Sequence, residues 1–211
     1  MSGAALIETI RVRDGAAPLW RLHLRRLTES CRALGLPVPQ DLAPPEGGAD
    51  RVHRLEVSER GCSVTERAVG PVERVHLVTT AVAHQPYPHK TTARTQFEQA
   101  AVAARSAGAD EGLLLTPAGD VAETSIWSVF WWAGDRLCAP PLALGILPGV
   151  ARARIAELVP IREHQVSRGG LEGKALLLAN AARGIVEVAA LDGTAVPRSA
   201  NTDALRERFW A

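Results

Sequence analysis

The chain has 211 residues, with 24 basic against 23 acidic side chains and a formal net charge of +1. That length suits one domain or two small ones, and balanced charge gives no pull toward nucleic acid or an anionic membrane surface. The cysteines, Cys31, Cys62 and Cys138, are odd in number and far apart, and the histidines have no metal-ligand spacing, so neither a disulfide framework nor a metal centre is expected.

The opening Met-Ser-Gly-Ala-Ala-Leu-Ile-Glu lacks the basic start and long apolar run of a signal peptide. The longest apolar stretch, 126–133, is too short to span a bilayer. A cytoplasmic location in a reducing compartment is expected. Of the basic residues only Lys90 and Lys174 are lysines. A coding bias toward Arg explains the imbalance, and under such a bias a retained Lys marks a place where a side chain able to lose its proton is useful.

In chain order, residues 6–12 read as a strand closed by a turn at Asp14 and Gly15. Residues 23–34 form a helix with Leu24, Leu27, Cys31 and Leu34 on one face and Gly35 past its end. A Pro/Gly/Ala-rich loop covers 37–50, and strands follow at 54–58, 63–68 and 73–82. The stretch 84–90 holds two prolines and is extended and stiff. An Ala-rich helix at 95–106 precedes a strand meander over 112–116, 121–132 and 136–138. Gly145 to Gly149 lead into a helix at 150–158, then strands at 161–166, 175–178 and 185–189, and a last helix at 202–209. The reading is a small α+β domain over 1–83, a linker over 84–91, and a larger domain over 92–211.

Four places carry candidate chemistry. Lys90 stands where the stiff segment meets a helix; its bland reading is a solvated linker charge. Gly145-Ile-Leu-Pro-Gly149 opens a helix whose first N–H groups, at Val150 and Ala151, can take a phosphate, or it is an ordinary helix start. Glu123 lies in an apolar strand and needs a partner, either an Arg or the protonated ring nitrogen of a cofactor. Asn180 and Ala181 end an apolar strand in a short turn.

The order of these pieces carries a resemblance: Ile7-Glu-Thr-Ile-Arg-Val-Arg-Asp-Gly15, His23-Leu-Arg-Arg-Leu27, Lys90-Thr-Thr-Ala-Arg94, Asp110-Glu111, Glu123-Thr-Ser125, Gly145-Ile-Leu-Pro-Gly-Val150 and Asn180-Ala-Ala-Arg-Gly-Ile185. The succession, spanning about residues 6–190, resembles the class IV aminotransferases, the fold-type IV pyridoxal-phosphate (PLP) enzymes. It implies a small N-terminal α/β sandwich plus a larger mixed-sheet, barrel-like domain, a homodimer and a small amino substrate. It also implies that Lys90 is the Schiff-base lysine and that Glu123 pairs with the pyridine nitrogen, preserving the ring as an electron sink. Val150 and Ala151 would form the phosphate cup, Arg54 would be the phosphate arginine, and Asn180 and Ala181 would lie near the phosphate. His23, Arg94 and Trp127 are candidates for the substrate side.

Departures from the family pattern matter. The chain starts almost at the Glu-Thr motif, where family members carry about twenty further residues, so part of the substrate wall is expected to be missing or supplied by a partner. Ala151 stands where Thr is frequent, Trp127-Ser128 replaces Ser-Asn, and Thr95 occupies the place of a Tyr that contacts the cofactor in aminotransferases. With Glu8-Thr9, this pattern is more similar to the branch that converts 4-amino-4-deoxychorismate to 4-aminobenzoate and pyruvate in folate precursor synthesis. Transamination of branched-chain or D-amino acids uses the same parts, and a degenerate member that binds without turnover is a further alternative.

Overall fold

The computed structural model describes residues 4–211. Met1 to Gly3, part of the start read above as no signal peptide, lie outside the described residues. The chain divides into two compact units.

The smaller unit comprises residues up to Pro71 together with His89–Ala93 and Ala181–Arg183. Its sheet has the order β1-β2-β3, from β1 (Leu6–Val12), β2 (Arg51–Ser58) and β3 (Gly61–Ala68), all antiparallel. Alternation places Leu6, Glu8 and Ile10 of β1 on the face that also presents Leu55 and Val57 of β2. Helix α1 (Trp20–Leu34) covers this face with Leu27 and Cys31. It begins three residues before the predicted start because Trp20 also packs on this core. It ends where Gly35, at φ 66°, turns left-handed and returns its N–H to the last carbonyls.

The segment around Lys90 runs along the free edge of β1. The Ile7 N–H donates to the Lys90 carbonyl at 2.7 Å, and the Thr92 N–H to the Ala5 carbonyl at 2.8 Å. Lys90 therefore sits in backbone tied to the small sheet rather than in a bare linker.

The larger unit is a nine-stranded mixed sheet whose strands run in the order β6 (Val121–Thr124), β5 (Glu111–Leu115), β4 (Arg74–Ala83), β11 (Gly184–Leu191), β10 (Leu176–Asn180), β7 (Ser128–Ala133), β8 (Arg136–Ala139) and β9 (Ile161–Glu163), with β12 (Thr194–Ala195) paired to β11. Strand β4 (Arg74–Ala83) lies inside it, parallel to β5 (Glu111–Leu115) and β11 (Gly184–Leu191). The domain boundary predicted at 83 is therefore corrected to near 71. The reason is burial: Val75 and Leu77 join Leu113, Val186 and Val188 in this unit's core.

The predicted strand over 121–132 is two strands, β6 (Val121–Thr124) and β7 (Ser128–Ala133). Thr124 and Trp127 bond each other across a tight turn, with the Trp127 N–H on the Thr124 hydroxyl at 3.1 Å. β6 then pairs with β5, while β7 pairs with β10 (Leu176–Asn180) and with β8 (Arg136–Ala139).

Helix α2 (Thr95–Ser106) buries Phe97, Ala100 and Ala104. It approaches β5 so closely that a Cβ on Gly112 would stand 2.7 Å from the Ala100 carbonyl oxygen. Helix α3 (Val150–Leu158) occupies the predicted residues, and β9 (Ile161–Glu163) is shorter than expected. Strand β12 (Thr194–Ala195) and helix α4 (Ala200–Phe209) close the chain. Among the described residues no helix is long and apolar enough to cross a membrane, and no His/Cys/Asp/Glu group is arranged for a metal.

Candidate active site

Glu123 is the next-to-last residue of β6, paired across to Leu114, and only 6% exposed. Among the described residues no Arg is paired with it; the protein groups that meet its Oε1 are an imidazole and a backbone N–H. His84 Nε2 lies 3.0 Å from Glu123 Oε1, and the Leu147 N–H donates to the same oxygen at 3.3 Å. The ring of His84 is buried in turn, and its backbone N–H donates to the Leu115 carbonyl at 2.7 Å. Sequence reasoning missed His84, because no local spacing links residue 84 to 123.

The turn after Glu123 is knitted from below by Glu111. The Ser125 hydroxyl donates to its carboxylate at 2.6 Å, and the polar groups of Trp127, Ser125 and Thr124 around it favour its charged form. Burial pushes the Glu111 carboxyl above its ordinary value, against the effect of those donors. The Arg94 guanidinium donates to the Ser125 carbonyl and lies 4.9 Å from the Phe97 ring centroid. Arg94 and Trp127, expected on the substrate side, are thus placed where they brace this turn, and Trp127 is part of the apolar core.

Leu147 belongs to the Gly145–Gly149 loop that opens α3. Gly145, at φ 76°, accepts the Tyr87 N–H on its carbonyl at 2.7 Å, and a Cβ there would strike Pro86. Gly149 is extended and caps α3 without a side-chain hydrogen bond; a Cβ on it would lie 2.8 Å from Ser128 Oγ. No side chain caps the first N–H groups of α3, at Val150 and Ala151, which suits them to an anion. The loop that donates to Glu123 is therefore the loop that starts α3. One unit presents a buried carboxylate for a protonated ring nitrogen and, three residues beyond the Leu147 that bonds it, donors for a phosphate. These residues fit the cofactor that the resemblance implies. Asn180 ends β10 opposite Gly184, and Ala181 stands in the hairpin tip. A cavity of about 590 Å³ lined by Trp132, Leu137, Ile161 and Leu205 contains none of these residues.

In the smaller unit, Arg54 is on the β2 face turned away from α1, where Glu56 takes its Nε at 2.8 Å. The buried Arg26 and His23 lie on the other face. Arg26 of α1 forks onto Glu8 with Nε at 2.9 Å and Nη2 at 2.6 Å, and His23 Nδ1 bonds the same carboxylate. Burial alone would raise the Glu8 carboxyl, but Arg26 and His23 outweigh it and hold the group at about 2. His23 is pushed down first by burial and then by the charges of Arg26 and Lys90, against the pull of Glu8. Its Nε2 has no hydrogen-bond partner among the described residues. The argument that singled out Glu123, a carboxylate inside a strand, applies equally to Glu8 and would have found this cluster.

The mixed α+β fold is that of fold-type IV aminotransferase structures. The chain belongs to the amino-transferase class IV family, which it matches over residues 62–191. It is 42% identical over 72 residues to the aminodeoxychorismate lyase of Bacillus subtilis (strain 168), a stretch covering 34% of this chain and 25% of that protein. The matched stretch thus spans about a quarter of that relative's length. The fold is shared with the branched-chain aminotransferase of Thermoproteus uzoniensis at a TM-score of 0.86, with 23% identity over 98% of this chain and 84% of that one. It is also shared with an aminotransferase from Brucella abortus bound to the cofactor PLP, at a TM-score of 0.83, with 18% identity over 98% of this chain and 88% of that one.

Proposed function

We propose that this chain is a PLP-dependent lyase converting 4-amino-4-deoxychorismate to 4-aminobenzoate, a folate precursor, and pyruvate. The observation that carries the cofactor reading is the Glu123 carboxylate bonded by the Leu147 N–H, on the loop that opens α3. The lyase choice is supported by the 42% identical relative and by Glu8, Thr9 and Thr95 in the sequence. Bound PLP supplies an electron sink for negative charge developing beside the substrate nitrogen. Lys90 would hold the cofactor through its amine, and once the substrate amine takes its place the freed Lys90 amine would remove the proton from the carbon next to that nitrogen. Glu123 keeps the ring-nitrogen proton in place, and the Val150 and Ala151 N–H groups hold the phosphate. The fold neighbours named as aminotransferases favour a second reading, amino-group exchange with branched-chain or D-amino acids.

The test is to add PLP to the purified protein and follow a yellow chromophore that borohydride discharges. Lys90→Ala is expected to lose both the chromophore and turnover. Aminobenzoate release from aminodeoxychorismate supports the lyase; exchange with 2-oxoglutarate without aminobenzoate replaces it by the aminotransferase. A protein that stays colourless with PLP overturns both in favour of a non-catalytic member. The reading includes a homodimer, which light scattering of the PLP-loaded protein tests.

A further inference from the structure

Glu123 and His84 stand on opposite sides of one strand. In the order β6-β5-β4, Glu123 comes from β6 and His84 follows the end of β4, so β5 lies between their backbones. Two strand spacings separate them, roughly 10 Å of sheet, and the side chains close that gap to a 3.0 Å contact. Both ends are fixed: the His84 N–H is on the Leu115 carbonyl, and Glu123 is paired with Leu114. At 3.0 Å from a carboxylate oxygen the imidazole nitrogen is the donor, so Nε2 carries the proton. Both contacts of Glu123 described above fall on Oε1, and neither uses Oε2.

We propose that His84 is a positioning residue for Glu123: its Nε2–H, donated to Oε1, fixes the plane of the carboxylate and turns Oε2 toward the ring nitrogen of bound PLP. The inference rests on the reading that this chain binds PLP, and it assigns to this buried histidine a part in holding the cofactor. A carboxylate free to rotate in a buried setting would meet the ring nitrogen in several orientations, whereas one pinned by a ring N–H and a backbone N–H meets it in one. His84 itself reaches neither the reacting carbon nor the substrate in this scheme; it acts through Glu123.

The test uses PLP labelled with 15N in its ring, loaded into the wild type, His84→Leu and His84→Gln. Gln places an amide N–H near the position of Nε2. His84→Leu is expected to weaken PLP binding about tenfold, the scale of one charge-assisted hydrogen bond, and to move the ring 15N signal toward its unprotonated position. His84→Gln is expected to restore both. Unchanged affinity and signal in His84→Leu overturn the proposal, as does a His84→Gln variant that melts like the wild type yet behaves like His84→Leu. In the cofactor-free protein, 15N NMR of the histidines should report His84 as the Nε2–H tautomer; the Nδ1–H tautomer overturns the donation directly. A wild type that binds no PLP defeats the functional reading itself, whereas a wild type that binds while the variants match it defeats this inference alone.

Discussion

Glu8→Gln tests the buried cluster of the smaller unit. The Glu8 carboxyl lies at about 2 in the folded protein, against an ordinary value of 4.5. Each pKa unit is worth about 1.4 kcal/mol, so the charged form contributes about 3 kcal/mol at pH 7. That agrees with the roughly 3–5 kcal/mol lost when one partner of a buried ion pair is removed. The folded value is depressed, so the contribution is complete above 4.5 and disappears as pH falls toward 2. At pH 3 the same linkage leaves roughly half of that. Urea unfolding of wild type and Glu8→Gln at both pH values measures the gap. A difference that is equal at pH 7 and pH 3, or below about 1 kcal/mol at pH 7, refutes the claim that an ionised Glu8 holds Arg26 and His23.

Gly112→Ala should destabilise the larger unit by about 1–3 kcal/mol. The new Cβ meets the Ala100 carbonyl, which belongs to helix backbone and cannot swing aside; a urea midpoint matching the wild type would contradict this close approach. Glu111 has the opposite sign to Glu8. Its carboxyl is raised above 4.5, so its contribution is present below that value and lost as pH rises through the folded value. Melting temperatures should therefore show the wild type losing ground to Glu111→Gln between pH 4 and pH 8, and a pH-independent difference would exclude a raised Glu111.

Patterns within a few residues of each other were legible in the sequence. The strand at 6–12 and the helices at 95–106 and 150–158 follow from alternation, from 3.6-residue periodicity and from glycines at their ends. Lys90, Glu123 and the Gly145–Gly149 loop stood out by residue type and order. The strand predicted over 121–132 failed for a local reason: apolar residues run through Trp127, and nothing in that run announces that Thr124 and Trp127 bond each other.

Long-range pairing was decided by the tertiary structure alone. β4 follows the small sheet in sequence but pairs in parallel with β5 and β11, and parallel partners are joined by connections too long for local patterns to reveal. Arg26 rather than Arg54 faces Glu8, because strand alternation and helix phase together choose the face. The imidazole on Glu123 comes from 39 positions earlier in the chain. A sequence lists which groups can ionise or donate; burial and sheet order choose which two of them meet.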